Sequence, residues 1–176
     1  MNQTKLGGYM RSRNLKRTVA YAIACGVIGS VAFGTSSALA EGSLERVSEP
    51  NLMPYTIVDG TSIPKSFTGK PGNPANGKKL FVHRKKGNCL TCHTAPIPEQ
   101  QFHGQVAPDL DGVADRMSEG EIRLRVVNPK LSNPDTPMMA YYKTHGLNQV
   151  KKSFVGKPML NEQELEDVIA YLMTLK

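Results

Sequence analysis

The chain has 176 residues, and its 22 lysines and arginines outnumber its 15 acidic residues, which gives a formal net charge of +7. Five of the basic residues and none of the acidic ones lie in residues 1–40, so the remainder carries 17 basic against 15 acidic residues, a net charge of +2. This small excess forms no basic stripe with interleaved aromatic side chains, which argues against nucleic-acid binding. Residues 41–176 suit one domain with one modest core.

Residues 1–40 have the pattern of a secretory signal peptide. A basic segment that ends at Arg17 precedes a mostly apolar stretch, Val19 to Phe33, and Ala38-Leu39-Ala40 forms an A-x-A cleavage site. We therefore expect export, with cleavage after Ala40. The alternative is a retained membrane anchor, but the apolar stretch is short and ends in small polar residues, so no membrane association is expected.

Residues 41–73 predict an extended N-terminal arm with little regular structure. Prolines and glycines recur throughout, and only the run Tyr55-Thr56-Ile57-Val58 is typical of a strand. We expect this arm to lie on the core or on a partner.

A first helix is predicted from Pro74 to about Val82. Asn73 is a good N-cap, and proline is well suited to the first helical position because its missing N–H has no intrahelical partner there. Gly77 and Phe81 follow at helical spacing, which places a gap and an aromatic ring on one face of the helix.

Directly after this helix, Cys89-Leu90-Thr91-Cys92-His93 forms a CxxCH pentapeptide. Two thiols at i and i+3 reach the same side of one helical turn, so both can add to the vinyl groups of one porphyrin while the imidazole binds its iron. A thioredoxin-like redox pair or half of a zinc site are the alternatives, but the other histidines are scattered singly. We predict one covalently bound haem c on Cys89 and Cys92. His93 would be an axial ligand, with its other ring nitrogen held by a backbone carbonyl near Pro108.

The middle of the chain predicts one helix and one long loop. The helix should run from Ser118 to Val127, because Ser118 and Glu121 form a capping box. From Leu131 to Pro158 prolines and glycines recur, which indicates a loop with at most a short helix near residues 140–143.

A last helix is predicted from Asn161 to about Leu175. Two terminal helices, a CxxCH after the first and a methionine-bearing loop before the last resemble the class I cytochrome c fold. The expected fold is therefore all-α, with an arm over residues 41–73 and a cytochrome c domain over 74–176. In that fold the terminal helices cross closely, and this contact is expected among four residues: Gly77, Phe81, Val168 and Tyr171.

The second axial ligand decides whether a haem carries electrons or binds an exogenous ligand. Met138 is the main candidate, because the segment Asn133 to Met139 is rich in turn residues and can present a thioether on a short loop. Met139, Met159 and the spare histidines are the alternatives.

Segments along nearly the whole exported chain resemble SoxX, the monohaem subunit family of the sulfur-oxidising SoxAX cytochromes. The family pattern has a Met-Pro pair in the ligand loop, where this chain has Met139 in place of the proline and Pro137 before Met138. The segments that carry the resemblance are IVDG (57–60), IPKSFTG (63–69), GNPANGKKLFVHRKKGNCLTCH (72–93), VAPDLDGVADR (106–116), NPDTPMMAYYKTHGLNQV (133–150) and GKPMLNEQELEDVIAYLMTLK (156–176).

The resemblance implies a periplasmic heterodimer with a SoxA-like cytochrome. In that family the complex is an L-cysteine S-thiosulfotransferase, which oxidatively couples thiosulfate to a cysteine of a SoxYZ-like carrier protein. This chain would be its electron-transfer subunit, without catalytic activity of its own, and would pass electrons to a small cytochrome c. The alternative is a freestanding periplasmic carrier cytochrome that feeds an oxidase.

Overall fold

The computed structural model describes residues 42–176; the predicted signal peptide lies outside the described residues. Within this range no helix combines the length and the apolar character needed to cross a bilayer. Short 3-10 helices lie at Cys89–Thr91, Pro129–Leu131 and Lys152–Phe154. The remaining elements in chain order are β1 (Leu44–Val47), β2 (Tyr55–Val58), α1 (Pro74–Val82), α2 (Val113–Arg116), α3 (Glu119–Val127) and α4 (Glu162–Leu172).

The N-terminal arm contains a small hairpin. The predicted strand at Tyr55–Val58 is present as β2, and its side chains alternate between the core and solvent. It pairs antiparallel with β1, from Leu44 opposite Val58 to Val47 opposite Tyr55. The sequence did not predict β1, because its four residues are mostly exposed and carry no apolar alternation.

A buried ion pair attaches the arm to the helices. Arg123 of α3 is 1% exposed, and its guanidinium donates to both carboxylate oxygens of Glu166 of α4, over 3.1 and 2.9 Å. The same guanidinium donates to the Ile63 carbonyl over 2.8 Å, and Glu166 also accepts from the Phe67 N–H over 2.9 Å. Glu119, one turn before Arg123, makes a further ion pair with it. The arm is therefore hydrogen-bonded to charged groups of α3 and α4.

The terminal helices α1 and α4 cross where the sequence predicts. Gly77 packs so closely on α4 that a Cβ at this position would lie 2.5 Å from the Asp167 carbonyl carbon. Beside it the rings of Phe81 and Tyr171 meet edge to face, with centroids 5.3 Å apart. Val168 of α4 is 2% exposed and belongs to the same apolar core as Phe81 and Tyr171. The glycine therefore allows the two backbones to approach.

Asp167 ties the start of α1 to α4. Its carboxylate accepts from the Asn73 N–H over 2.7 Å, from the Asn76 side chain over 2.7 Å and from the Gln163 side chain over 2.9 Å. Burial alone would raise the pKa of Asp167, but these hydrogen bonds to the charged form lower it overall. Asn73 also caps α1 as predicted, accepting from the N–H groups of Ala75 and Asn76.

The other helix predictions are confirmed for α3 and partly corrected elsewhere. Both predicted capping boxes are present, at Ser118 and at Asn161. However, α4 ends at Leu172, because Leu175 turns away and its carbonyl accepts from the Ala114 N–H over 2.9 Å. The two N–H groups at 141 and 142 donate to carbonyls at the end of α3, so the short helix considered for residues 140–143 is not formed.

Candidate haem site

The CxxCH pentapeptide forms a tight turn in the segment that follows α1. Cys89 to Thr91 is a 3-10 helix, and the N–H groups of Cys92 and His93 both donate to the Cys89 carbonyl, over 3.1 and 3.0 Å. Cys89 is half-buried and packs against the core, whereas Cys92 is exposed. The turn therefore presents two sulfurs within one helical turn.

His93 is held in one orientation by the backbone. Its Nδ1 lies 2.7 Å from the Pro108 carbonyl oxygen, and because a carbonyl only accepts, Nδ1 carries the proton and donates. This is the acceptor predicted from the sequence. The segment that carries Pro108 is fixed in turn, because the Ala107 N–H donates to the Cys92 carbonyl over 2.9 Å. Nε2 is therefore the nitrogen left to bind a metal.

Tyr141 connects the long loop to the CxxCH turn, and the sequence did not single it out. Its hydroxyl donates to the Gly87 carbonyl over 2.7 Å. Burial raises the pKa of the Cys89 thiol to about 12, and a hydrogen bond with Tyr141 opposes this only in part. Burial also raises the pKa of Tyr141, with a smaller contribution from Cys89. Both groups are therefore neutral at physiological pH.

The candidate methionines differ in their surroundings. Met138 and Met159 are half-buried and pack against the core, whereas Met139 is 51% exposed. The sulfur of Met117 accepts a hydrogen bond from Arg125 over 3.4 Å. The structure thus separates two partly covered thioethers, at 138 and 159, from one that faces solvent.

The spare histidines each have one ring nitrogen occupied by protein. Nδ1 of His83 accepts from a backbone N–H over 3.1 Å, and Nδ1 of His103 does so over 3.4 Å. His145 pairs with Glu49 over 2.8 Å. Over residues 42–176 no group of three or more His, Cys, Asp or Glu side chains is placed to hold a metal ion. Within the described part of the chain the cysteine pair therefore has no second ligand pair for zinc.

These residues fit a c-type haem. The turn supplies two thiols at the spacing that porphyrin attachment needs, and His93 supplies an oriented imidazole with Nε2 to spare. Apolar side chains that pack on the core but stay partly open, among them Leu110, Met138 and Met159, are suited to cover an apolar macrocycle. The cysteine and histidine side chains and the partly exposed apolar residues therefore both fit a haem.

The fold and this site define a cytochrome c. The family model described as cytochrome c matches residues 74–176, and the chain therefore belongs to the cytochrome c family, whose members bind haem c. The chain is also similar to the crystal structure described as SoxXA from P. pantotrophus, with 39% identity and a TM-score of 0.62. The match covers 66% of this chain and 91% of that chain.

The comparisons confirm two expectations from the sequence: the resemblance to SoxX and the class I cytochrome c fold. That fold is mostly helical and here also contains the two-stranded hairpin. No curated protein matches the chain.

Proposed function

We propose that this chain is the monohaem electron-transfer subunit of a periplasmic SoxAX-type complex. The observation that carries the proposal is the CxxCH turn with its oriented His93, in a chain 39% identical to a chain of a SoxXA structure over 91% of that chain's length. The alternative, a freestanding carrier cytochrome, is not favoured by this similarity. Export would depend on the signal peptide over residues 1–40.

In this proposal Cys89 and Cys92 would hold one haem c through thioether bonds, and His93 and Met138 would be its axial ligands. The bound haem supplies a one-electron centre. The hydrogen bond from His93 Nδ1 to Pro108 fixes the imidazole plane and makes Nε2 the ligand atom. A thioether at the second axial position raises the reduction potential relative to a second imidazole.

Met138 is preferred because it combines partial burial with a constrained loop. The preceding turn is held by Lys130, whose ammonium donates to the carbonyls of Pro134 and Thr136 over 3.2 and 2.8 Å. The Met138 N–H donates to the Thr136 hydroxyl over 3.3 Å. Met139 and Met159 remain the alternatives.

The proposed partners follow from the similarity to SoxXA, and the cysteine count agrees with them. Both cysteines outside the signal peptide are assigned to the haem, so this chain keeps no thiolate for sulfur chemistry. The coupling of thiosulfate to a SoxYZ-like carrier would take place on a SoxA-like subunit. Electrons would leave through this chain to a small cytochrome c, and neither nucleic acid nor a membrane is among the expected partners.

The axial ligand is tested by methionine variants of the haem-loaded protein. We expect the methionine-to-iron charge-transfer band to disappear in Met138→Leu and to persist in Met139→Leu and Met159→Leu. A band that persists in the first variant and disappears in one of the others would move the ligand to that residue.

The function is tested in the reconstituted system. The haem of this chain should be reduced when thiosulfate, the carrier protein and a SoxA-like subunit are all present, and not when the SoxA-like subunit is omitted. Recovery of the native protein as a lone monomer, with no reduction in the complete mixture, would contradict the proposal.

A further inference from the structure

An uncharged loop lies directly on the CxxCH turn. Residues 100–108, called here the 100–108 loop, contain no Asp, Glu, Lys or Arg. The Gly104 N–H donates to the Leu90 carbonyl over 2.7 Å, and the Val106 N–H donates to the Cys92 carbonyl over 3.1 Å. A Cβ at Gly104 would lie 2.8 Å from the Cys92 Cα, so only glycine permits this approach. The loop is thus fixed to the backbone of the haem-attachment turn.

The 100–108 loop exposes two large apolar side chains. Phe102 is 89% exposed and Val106 is 77% exposed, the two highest values among the exposed large apolar side chains of the described residues. His103 between them is anchored, because its Nδ1 accepts from the Ala95 N–H. The loop also borders an open pocket of about 500 Å³. A fixed backbone that carries an almost fully exposed phenylalanine is typical of a protein contact surface.

The charges that flank this loop are already engaged within the chain. Glu99, just before the loop, pairs with Lys78 over 2.6 Å. Asp109, just after it, accepts from the Asp111 N–H over 3.0 Å. The exposed surface between them therefore offers apolar and uncharged polar groups and no net charge to steer a partner.

The apolar, uncharged surface of the 100–108 loop is typical of contact with a permanent partner and not with a transient one. The centres of lasting subunit interfaces are depleted in charge and enriched in aromatic side chains, whereas transient electron-transfer partners are steered by complementary charge. The segment Lys151 to Lys157 has the opposite character. It contains three exposed lysines and no acid, and none of these lysines forms a salt bridge within residues 42–176.

We infer that the 100–108 loop is the surface that binds the permanent cytochrome partner, with Phe102 and Val106 inserted into an uncharged, apolar surface of that subunit. This inference rests on the proposed function. Because the loop is hydrogen-bonded to Leu90 and Cys92, the contact places the partner next to the haem-attachment turn. The subunit interface and the route for electrons then lie on the same side of the chain.

The test uses haem-loaded full chain and a SoxA-like subunit, with the dissociation constant measured by analytical ultracentrifugation at low and high salt. The double variant Phe102→Ser/Val106→Thr should weaken the complex about tenfold or more at both salt concentrations. The matched control Lys151→Ser/Lys152→Ser also changes two exposed side chains, and it should leave the affinity within about twofold. Both variants should keep the wild-type haem spectrum and melting temperature, because the changed side chains are exposed.

Each outcome decides between defined alternatives. If the wild-type chain binds and the loop variant binds equally well, the inference is wrong while the proposed function stands. If the lysine variant alone loses affinity, the basic segment is the subunit contact and the loop is not. If the wild-type chain does not bind a SoxA-like subunit at all, both the proposed function and the inference fail.

Discussion

The substitution Gly77→Ala tests whether the close crossing of the terminal helices stabilises the cytochrome domain. Gly77 lies on the face of α1 that packs against α4, and an added Cβ would lie 2.5 Å from the Asp167 carbonyl carbon and 2.9 Å from the Tyr171 Cβ. Ordinary van der Waals contact begins at 3.4 Å. The Asp167 carbonyl oxygen would lie closer still, so the helices must separate by more than about 1 Å at the crossing, because the obstacle is backbone and cannot rotate away.

The expected loss of stability is the difference between two opposing effects. Overpacking of a well-packed core costs about 1–3 kcal/mol, and a clash with backbone belongs at the upper end of that range. Alanine is a better helix former than glycine by about 1 kcal/mol, which offsets part of the cost. The net loss should be about 2 kcal/mol, and it should be accompanied by weaker packing of Phe81 on Tyr171.

Guanidinium unfolding of the haem-loaded protein, followed by far-UV circular dichroism, measures this loss. The matched control Ala75→Ser adds one atom to an exposed position on the same helix, and it should change the free energy of unfolding by less than about 0.5 kcal/mol. If Gly77→Ala is as stable as the wild type or more stable, helix propensity outweighs the contact and the reasoning about the crossing is refuted.

Three further changes probe the polar contacts. Hydrogen bonds hold the pKa of Asp167 below its usual value, so its contribution to stability is present above about pH 4 and is lost as the pH falls further. The free energy of unfolding, measured as the pH is lowered, should therefore fall less steeply in Asp167→Asn than in the wild type. Glu166→Gln leaves Arg123 buried without its main charge partner and should cost about 3–5 kcal/mol in denaturant unfolding, with partial recovery in the double variant Arg123→Met/Glu166→Leu. Tyr141→Phe should lower the temperature at which the methionine-to-iron band is lost, because its hydroxyl donates to Gly87 beside the CxxCH turn. Tyr142→Phe should lower that temperature less, since its hydroxyl contacts Met53 of the arm and Glu162 instead.

The parts of the fold that the sequence predicts are those set by local chemistry. Asn73 and Ser118 mark helix starts because an N-cap side chain bonds within its own first turn. The crossing at Gly77 was expected from the resemblance to the class I cytochrome c fold, in which the terminal helices meet through a glycine and aromatic rings. By contrast, the ion pair between Arg123 and Glu166 joins residues 43 positions apart, and nothing near either residue specifies the other.

The candidate site likewise has features that the sequence predicts and one that it does not. The CxxCH pentapeptide and the bond from His93 to Pro108 were predicted, because covalent attachment demands a fixed spacing and an axial histidine needs an acceptor. Tyr141 was missed although it directly follows the proposed ligand loop. Its hydroxyl donates to the carbonyl of Gly87, which is 54 residues earlier in the chain. Nothing in the sequence around the two adjacent tyrosines specifies the hydrogen-bond partner of either one.

The adjacent residues Tyr141 and Tyr142 link the N-terminal arm to the segment that contains the CxxCH turn. The N–H groups of Tyr141 and Tyr142 donate to the end of α3, which keeps this segment extended, and successive side chains of an extended segment point to opposite sides. Tyr141 donates to the Gly87 carbonyl beside the CxxCH turn, whereas Tyr142 accepts from the Met53 N–H over 3.0 Å and packs on the Phe67 ring of the arm. If residues 140–143 formed a helix, the side chains of Tyr141 and Tyr142 would not point to opposite sides. The extended segment after Met138 thus joins the arm to the CxxCH segment, so a change that detaches the arm should also loosen the loop that presents the proposed ligand.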